Sequence, residues 1–230
     1  LACCLSAVLG IGAAAGGVSA VVDSLHFPVV TDTVLGWQHH MMLGLNKDTN
    51  GGYSQADFDY STSFSSAEEQ HAAELKEIGK RLKDFGVGGY LQHFVKKSAR
   101  NYFDGCFGWG GLGETFYTEI FPERGTVLCS LIRSLYYDNT EDTLYRYPAL
   151  FRQILWYMVL VLVPFSVFTK RPLDKKRQVA VLSVLGLMLY LQIFEAHARY
   201  LYTFVPIFVF LATEGIDNLR EYLNQKSERR

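Results

Sequence analysis

Four stretches of this chain carry no charged residue: 1–22, 153–169, 178–194 and 200–213. A bilayer core of ~30 Å needs roughly 17–25 predominantly apolar helical residues. The first three stretches reach that length, and the fourth does so only if its flanks join in. A single run of this kind in a soluble protein reads as a buried core helix, but four in one chain favour the membrane. Composition alone hides the pattern. The 230 residues are 49% hydrophobic with a net charge of −1, yet residues 23–148 hold 17 acidic and 11 basic side chains. Charges segregated in this way predict a mainly α fold: integral-membrane helices with one large α-rich extracytoplasmic loop. The near-neutral balance gives no support to a nucleic-acid partner.

Orientation follows from the short segment between the second and third apolar runs. Residues 169–178 carry five basic side chains against one acid, Asp174, which predicts a cytoplasmic position. The tail agrees, with Arg220, Lys226, Arg229 and Arg230. The expected layout is a membrane helix over 1–22, an extracytoplasmic loop domain over 23–148 and membrane helices over 149–169 and 178–194. A cytoplasmic basic loop spans 170–177, an outer turn and last membrane helix span 195–214, and a cytoplasmic tail spans 215–230. Residues 1–22 compare with a signal peptide but lack a basic n-region and an initiator Met. The missing Met predicts that the chain is a piece of something longer. Gly12-x-x-x-Gly16 suits close helix packing, and Pro164 is tolerable in a membrane helix whose neighbours satisfy the freed carbonyl.

Within the loop, residues 23–62 are rich in Gly, Asn, Asp and Ser without a sustained period. Ser66-Ala-Glu-Glu69 has the spacing of a capping box. It predicts a helix to about Phe85, with Leu75, Ile78 and Leu82 on one face and Gly86 as its stop. A second helix is expected over Tyr90–Tyr102, with Lys96, Lys97 and Arg100 as a basic face. Residues 104–125 read as loop or short re-entrant structure, and 126–137 as a third helix. Cys3 and Cys4 fall in the first apolar run. Cys106 and Cys129 share the loop, and free thiols are the favoured reading over a disulfide.

Several motifs resemble chemistry they do not complete. Gly10-x-Gly12-x-x-Ala15, with Asp32 beyond it, matches a dinucleotide fingerprint but has no strand before it. Asp48-Thr-Asn-Gly-Gly-Tyr53 departs from a calcium loop at the fifth, sixth and twelfth positions, occupied by Gly52, Tyr53 and Asp59, so a Gly-rich turn is expected. The six histidines lack zinc spacing, and the adjacent rings of His39 and His40 are expected to diverge. No metal and no cofactor is expected. The segment with functional promise is Glu195-Ala-His-Ala-Arg199-Tyr200, which sets opposite charges four residues apart between two apolar runs. Ionisable groups at membrane depth are costly and face a partner or a cavity. A guanidinium there suits bidentate binding of a lipid-linked phosphate. The bland alternative is an interfacial turn with a Glu–Arg pair contributing ~0.5 kcal/mol or less.

Two stretches carry a family resemblance. Phe194-Glu-Ala-His-Ala-Arg-Tyr-Leu-Tyr202, followed by Phe-Val-Pro206, resembles the end of bacterial GT-C-type integral-membrane glycosyltransferases. Trp37-Gln-His-His-Met-Met-Leu-Gly-Leu-Asn46, with Gly51-Gly-Tyr53, is similar to the large external loop of Gram-positive members, as are the helix around Arg81 and Asp104-Gly-Cys-Phe-Gly-Trp109. Cys106 departs from the Thr expected there. The resemblance implies a plasma-membrane enzyme that moves a sugar from a polyprenyl-phosphate donor to a cell-envelope acceptor on the outer face. It implies Glu195, Arg199, Tyr200, His39 and His40 as substrate-binding residues and leaves the catalytic base unassigned, in a first external loop that this sequence is expected to lack. The competing reading is a non-catalytic membrane protein whose external loop binds a partner or wall polymer. A transporter has little behind it.

Overall fold

The computed structural model describes residues 35–108, 126–136, 144–168 and 173–228, with Ala13, Gly16, Gly17, Ala20, Val21 and Ser24, which are helical. The element order is α1 (Trp37–Gly44), α2 (Gln55–Thr62), α3 (Ala67–Tyr102), α4 (Val127–Tyr136), α5 (Arg146–Leu162), α6 (Lys175–Ile193) and α7 (Val205–Glu228). Short 3₁₀ turns cover Val163–Ser166 after α5 and Ala198–Phe204 before α7. No strand occurs among the described residues.

Three helical stretches are long and apolar enough to cross a membrane: Arg146–Ser166, Lys175–Ile193 and Ala198–Ser227. The short fourth run lies within a longer helical stretch, Ala198–Ser227, and α7 continues through the polar residues that follow the run. Most of the run at 1–22, with Gly12 of its glycine motif, lies outside the described residues. The spans bury Trp156, Val184, Leu191, Leu201, Phe208 and Leu211 against one another. Their outer faces remain apolar, with Leu155, Val161, Val179, Leu182 and Leu189 exposed. A helix in water would place polar residues there; lipid needs none.

Pro164 interrupts α5, and α7 compensates. The Asn218 amide donates to the carbonyls of Phe165 at 2.9 Å and Ser166 at 3.3 Å, at the end where the helix tightens into its 3₁₀ turn. Gly215 lets the two helices approach this closely, because a Cβ there would collide with the Leu162 carbonyl. At the same end Arg177 lies 3.3 Å from both Asp174 and Glu214, tying the start of α6 to α7.

The other end of the spans carries α1–α3. Ser66 caps α3 by accepting from the Glu69 amide at 3.3 Å, as the capping-box spacing predicts. Gly86, at φ 56°, breaks α3 into the two expected helices. The buried stripe of α3 differs from expectation. Leu75 and Leu82 are exposed, while Gln70, Glu74 and Ile78, then His93, Lys97 and Asn101, face inward at four-residue spacing. Lys97, expected with Lys96 and Arg100 on a basic face, is completely buried. Residues 23–62 are not irregular throughout, since α1 and α2 lie there; at eight residues each they are too short to show a period.

Three side chains on one face of α5 dock the C-terminus of α3. Trp156 Nε1 donates to the Tyr102 carbonyl at 2.9 Å, Gln153 Nε2 to Phe103 at 2.8 Å, and the Tyr157 hydroxyl to Phe103 at 3.3 Å. These bonds satisfy carbonyls that a helix end leaves without an internal partner. Gly105 then passes so close to α5 that a Cβ would lie 2.9 Å from the Arg152 carbonyl.

Candidate functional site

The residues singled out in the sequence come from α1 and from the 195–200 turn, and the fold gathers them where α1–α3 meet the spans. The turn is placed by backbone: the Ala196 amide donates to the Gly51 carbonyl at 2.7 Å, and Arg100 Nε donates to the Ala196 carbonyl at 3.3 Å. The loop that reaches it, 46–53, is a Gly-rich turn. Asn46 Oδ1 accepts from the amides of Asp48 and Thr49, and Asn50 and Gly51 take positive φ. A side chain at Gly52 would displace the Arg100 guanidinium from its place beside the turn.

Glu195 is buried and accepts from the Tyr200 hydroxyl at 3.0 Å; its second neighbour is His40 Nδ1 at 3.7 Å. Arg199 reaches the same hydroxyl with Nη2 at 3.5 Å and lies over the Tyr200 ring, 5.3 Å from its centroid. The two charges four residues apart, which the sequence sets in an interfacial turn, are therefore linked through the Tyr200 hydroxyl. Residues 195–197 are not helical and a 3₁₀ turn starts at Ala198, so positions four apart do not share a face. His197 starts that turn, its ring accepting from the Arg199 amide at 3.2 Å.

The rings of His39 and His40 do not diverge as expected. Their centroids are 5.4 Å apart, edge to face, in α1. His40 is exposed and turns toward Glu195, whereas His39 is buried, with Nδ1 2.7 Å from the Ser61 hydroxyl. Burial, reinforced by His40, pushes the His39 imidazole below its ordinary range. Behind it, the buried Glu74 accepts from Gln70 at 2.9 Å and lies 3.9 Å from His39. Ser61 and Glu74 both approach the same nitrogen of His39, so this is not the relay of a nucleophile, base and orienting acid, which needs both ring nitrogens.

Two further polar contacts escaped the sequence reading. The Lys97 ammonium donates to the carbonyls of Gly44 at 2.8 Å and Gln192 at 2.9 Å, at the C-terminal ends of α1 and α6. Cations stabilise helix C-termini, although burial pushes this lysine down to about 7. Arg81 grips Asp57 with both ends of its fork, at 2.9 and 2.7 Å, and also donates to Glu77 and to the Met42 carbonyl. Burial raises the Asp57 carboxyl, but the Arg81 and Asn46 bonds outweigh it and hold the group below its usual value. Four-residue spacing along α3 was the available signal for Lys97; no spacing links Arg81 to Asp57.

A groove of about 780 Å³ opens beside Arg199, between α5 and α7. Leu155, Val159, Val205 and Val209 form apolar walls, and Arg152 and Arg199 are the cations among its described lining residues. Asp104 shapes the rim by accepting from the amides of Cys106 at 2.7 Å and Gly108 at 2.5 Å. Cys106 lies on the rim as a free thiol, and Cys129 is free as well. Residues 109–125, including Trp109 of the external-loop motif, lie outside the described residues.

No curated protein and no solved structure shows detectable similarity to this chain. A family model described as a conserved hypothetical integral membrane protein matches residues 2–218. That match spans the loop, the site and all three apolar helices alike. The chain belongs to this family of integral membrane proteins.

Proposed function

We propose that this protein binds a polyprenyl-phosphate-linked sugar at the outer face of a bacterial plasma membrane and takes part in transferring the sugar to a cell-envelope acceptor. The observation that carries the reading is the position of Arg199. Its guanidinium lines an apolar groove between two membrane-length helices and is held by Tyr200, which Glu195 in turn orients. A phosphate-headed lipid matches this arrangement, with its chain against Leu155, Val159, Val205 and Val209 and its phosphate at the cation. The transfer itself is supported by the resemblance of Phe194–Pro206 to GT-C-type enzymes. Such a reaction breaks the bond between the anomeric carbon and the phosphate oxygen and forms one to the acceptor hydroxyl, whose proton passes to a base. Arg199 would stabilise the leaving phosphate. His39 and His40 sit on the loop side, with His40 facing the same Glu195.

The test is transfer of labelled sugar from a polyprenyl-phosphate donor to envelope acceptor by the full-length protein reconstituted in lipid. Label in the acceptor, dependent on the protein, is expected. Lipid binding without transfer would instead favour the non-catalytic membrane protein.

A further inference from the structure

The groove cation without a role in donor binding is Arg152, nearly two turns into α5. Its Nε and Nη2 are buried and have no hydrogen-bond partner among the described residues. Its guanidinium carbon lies 5.7 Å from the Tyr145 ring centroid, and the side chain lines the same groove as Arg199. Unsatisfied buried donors on a cation cost more than those on a neutral group. The side chain brings its charge to the groove wall that also carries Arg199, and a cation whose donors lack partners among the described residues is matched by an anion bound in that groove. The second cation matters because of how the charge changes during transfer. A sugar-linked lipid phosphate is a diester with one negative charge. When the bond from the anomeric carbon to phosphate oxygen breaks, the electron pair stays on the oxygen and the product is a monoester. That product carries about −1.5 to −2 at pH 7, since its second pKa is ~6.

We infer that Arg152 and Arg199 together form a headgroup site matched to the lipid monophosphate product, so that the sugar-free lipid phosphate binds more tightly than the sugar-linked donor. This inference rests on the lipid-phosphate reading above and deepens it. Arg152 takes up the charge that appears on the leaving oxygen, which favours bond breaking. The same match retains the product, so turnover requires a reaction or carrier that removes the free lipid phosphate from the membrane face.

The experiment measures binding of a polyprenyl monophosphate and of its sugar-linked diester to the full-length protein in nanodiscs of neutral lipid, at pH 7.5 and pH 5. The monophosphate is expected to bind about tenfold or more tightly at pH 7.5, the effect of one additional charge-assisted bond. The preference is expected to shrink toward unity at pH 5, where both ligands carry one charge. Arg152→Gln is expected to weaken the monophosphate more than the diester and so remove the preference, and Arg152→Lys to restore part of it. Val209→Trp, which fills the apolar part of the groove, is expected to weaken both ligands together. Equal binding of the two lipids at pH 7.5, or a preference unchanged in folded Arg152→Gln protein, would overturn the inference. A preference that depends on Arg152 in a protein that transfers no sugar would keep the phosphate site and discard the transferase reading. Transfer without the preference would do the reverse.

Discussion

The Lys97 ammonium and the Gly44 carbonyl lie 2.8 Å apart at the point where α1, α3 and α6 converge. Gly44 admits the contact because it has no side chain. A Cβ there would lie 2.6 Å from the Ile193 carbonyl, 2.7 Å from the Phe194 carbonyl and 2.8 Å from Lys97 Nζ. His93 Nε2 shares the same carbonyl at 2.9 Å, so its proton sits on that nitrogen. This contact joins the loop helices to the end of a membrane-length helix, and with it positions the turn that carries Glu195 and Arg199.

Lys97→Met keeps the stem but strips the Gln192 carbonyl of its ammonium donor, a loss of about 1–3 kcal/mol. The pH dependence distinguishes it from a generic packing defect. With the folded value pushed down to about 7 from 10.5, the unfolded chain holds a proton between those values that the folded chain lacks. Stability therefore rises with pH across that window, and the penalty is fully present below it. Thermal unfolding in detergent from pH 7 to 10 is expected to show the rise in the native protein and a flatter profile in Lys97→Met. Parallel profiles would contradict the buried position of Lys97.

Arg81 and Asp57 tie α2 to α3 through a partly buried two-point contact. Arg81→Ala leaves a buried carboxylate with only Asn46 as its described partner and is expected to cost about 3 kcal/mol. Arg81→Lys keeps the charge but not the fork, and is expected to lie between the two. The pair also sets an acid limit. The Asp57 carboxyl is held below its usual value, so its contribution is present above that value and lost as the pH falls through the folded one. Denaturant titrations of the three proteins at pH 7 and in steps from pH 4 down to about pH 2 check both statements.

The α5–α7 crossing depends on Gly215 and Asn218. Gly215→Val is expected to force the helices apart and lower stability by about 1–3 kcal/mol. Asn218→Leu leaves the Phe165 and Ser166 carbonyls without that donor next to Pro164, at a cost of about 1–3 kcal/mol. If unfolding temperatures in detergent were unchanged in both variants, the close crossing would be absent.

How far these features were legible from the sequence depends on which solvent each element faces. The apolar runs stand out because lipid-facing and core-facing residues such as Leu182 and Leu187 are equally apolar, and no packing detail is needed to find them. Ser66 and Gly86 signal through local backbone chemistry and act at their expected positions. The inward stripe of α3 is illegible by hydrophobicity, because it buries Glu74, His93 and Lys97 while exposing Leu75 and Leu82. Those polar groups are buried only because carbonyls from distant helix ends, and partners such as Gln70, meet them. The Glu195–Tyr200–Arg199 relay was half legible. Glu195, Arg199 and Tyr200 stand out in the sequence as a short polar segment between apolar runs, but their spacing suggests a direct Glu195–Arg199 pair, whereas an extended turn routes the contact through the Tyr200 hydroxyl. Arg152 was passed over because it abuts the charge-free run and reads as its boundary.

The proposed orientation makes a separate prediction. Single cysteines at Ser63 and Asp174, both exposed, in a background lacking the native cysteines, are expected to label oppositely with an impermeant thiol reagent in intact cells. Ser63 is expected to react and Asp174 to be protected. Labelling at Asp174 alone would invert the topology and move the groove cations to the inner face.

The central claim is that Arg199 binds the phosphate of a lipid-linked donor, and donor kinetics in the full-length protein test it most directly. Arg199→Ala removes a charge-assisted contact of ~1.5–3 kcal/mol, so apparent donor affinity is expected to fall about tenfold to a hundredfold. Arg199→Lys is expected to lose less, because it keeps the charge without the planar fork. Glu195→Gln, which only weakens the hold on Tyr200, is expected to lose least. Unchanged donor kinetics in well-folded Arg199→Ala protein would contradict the account and leave Arg199 as an interfacial anchor.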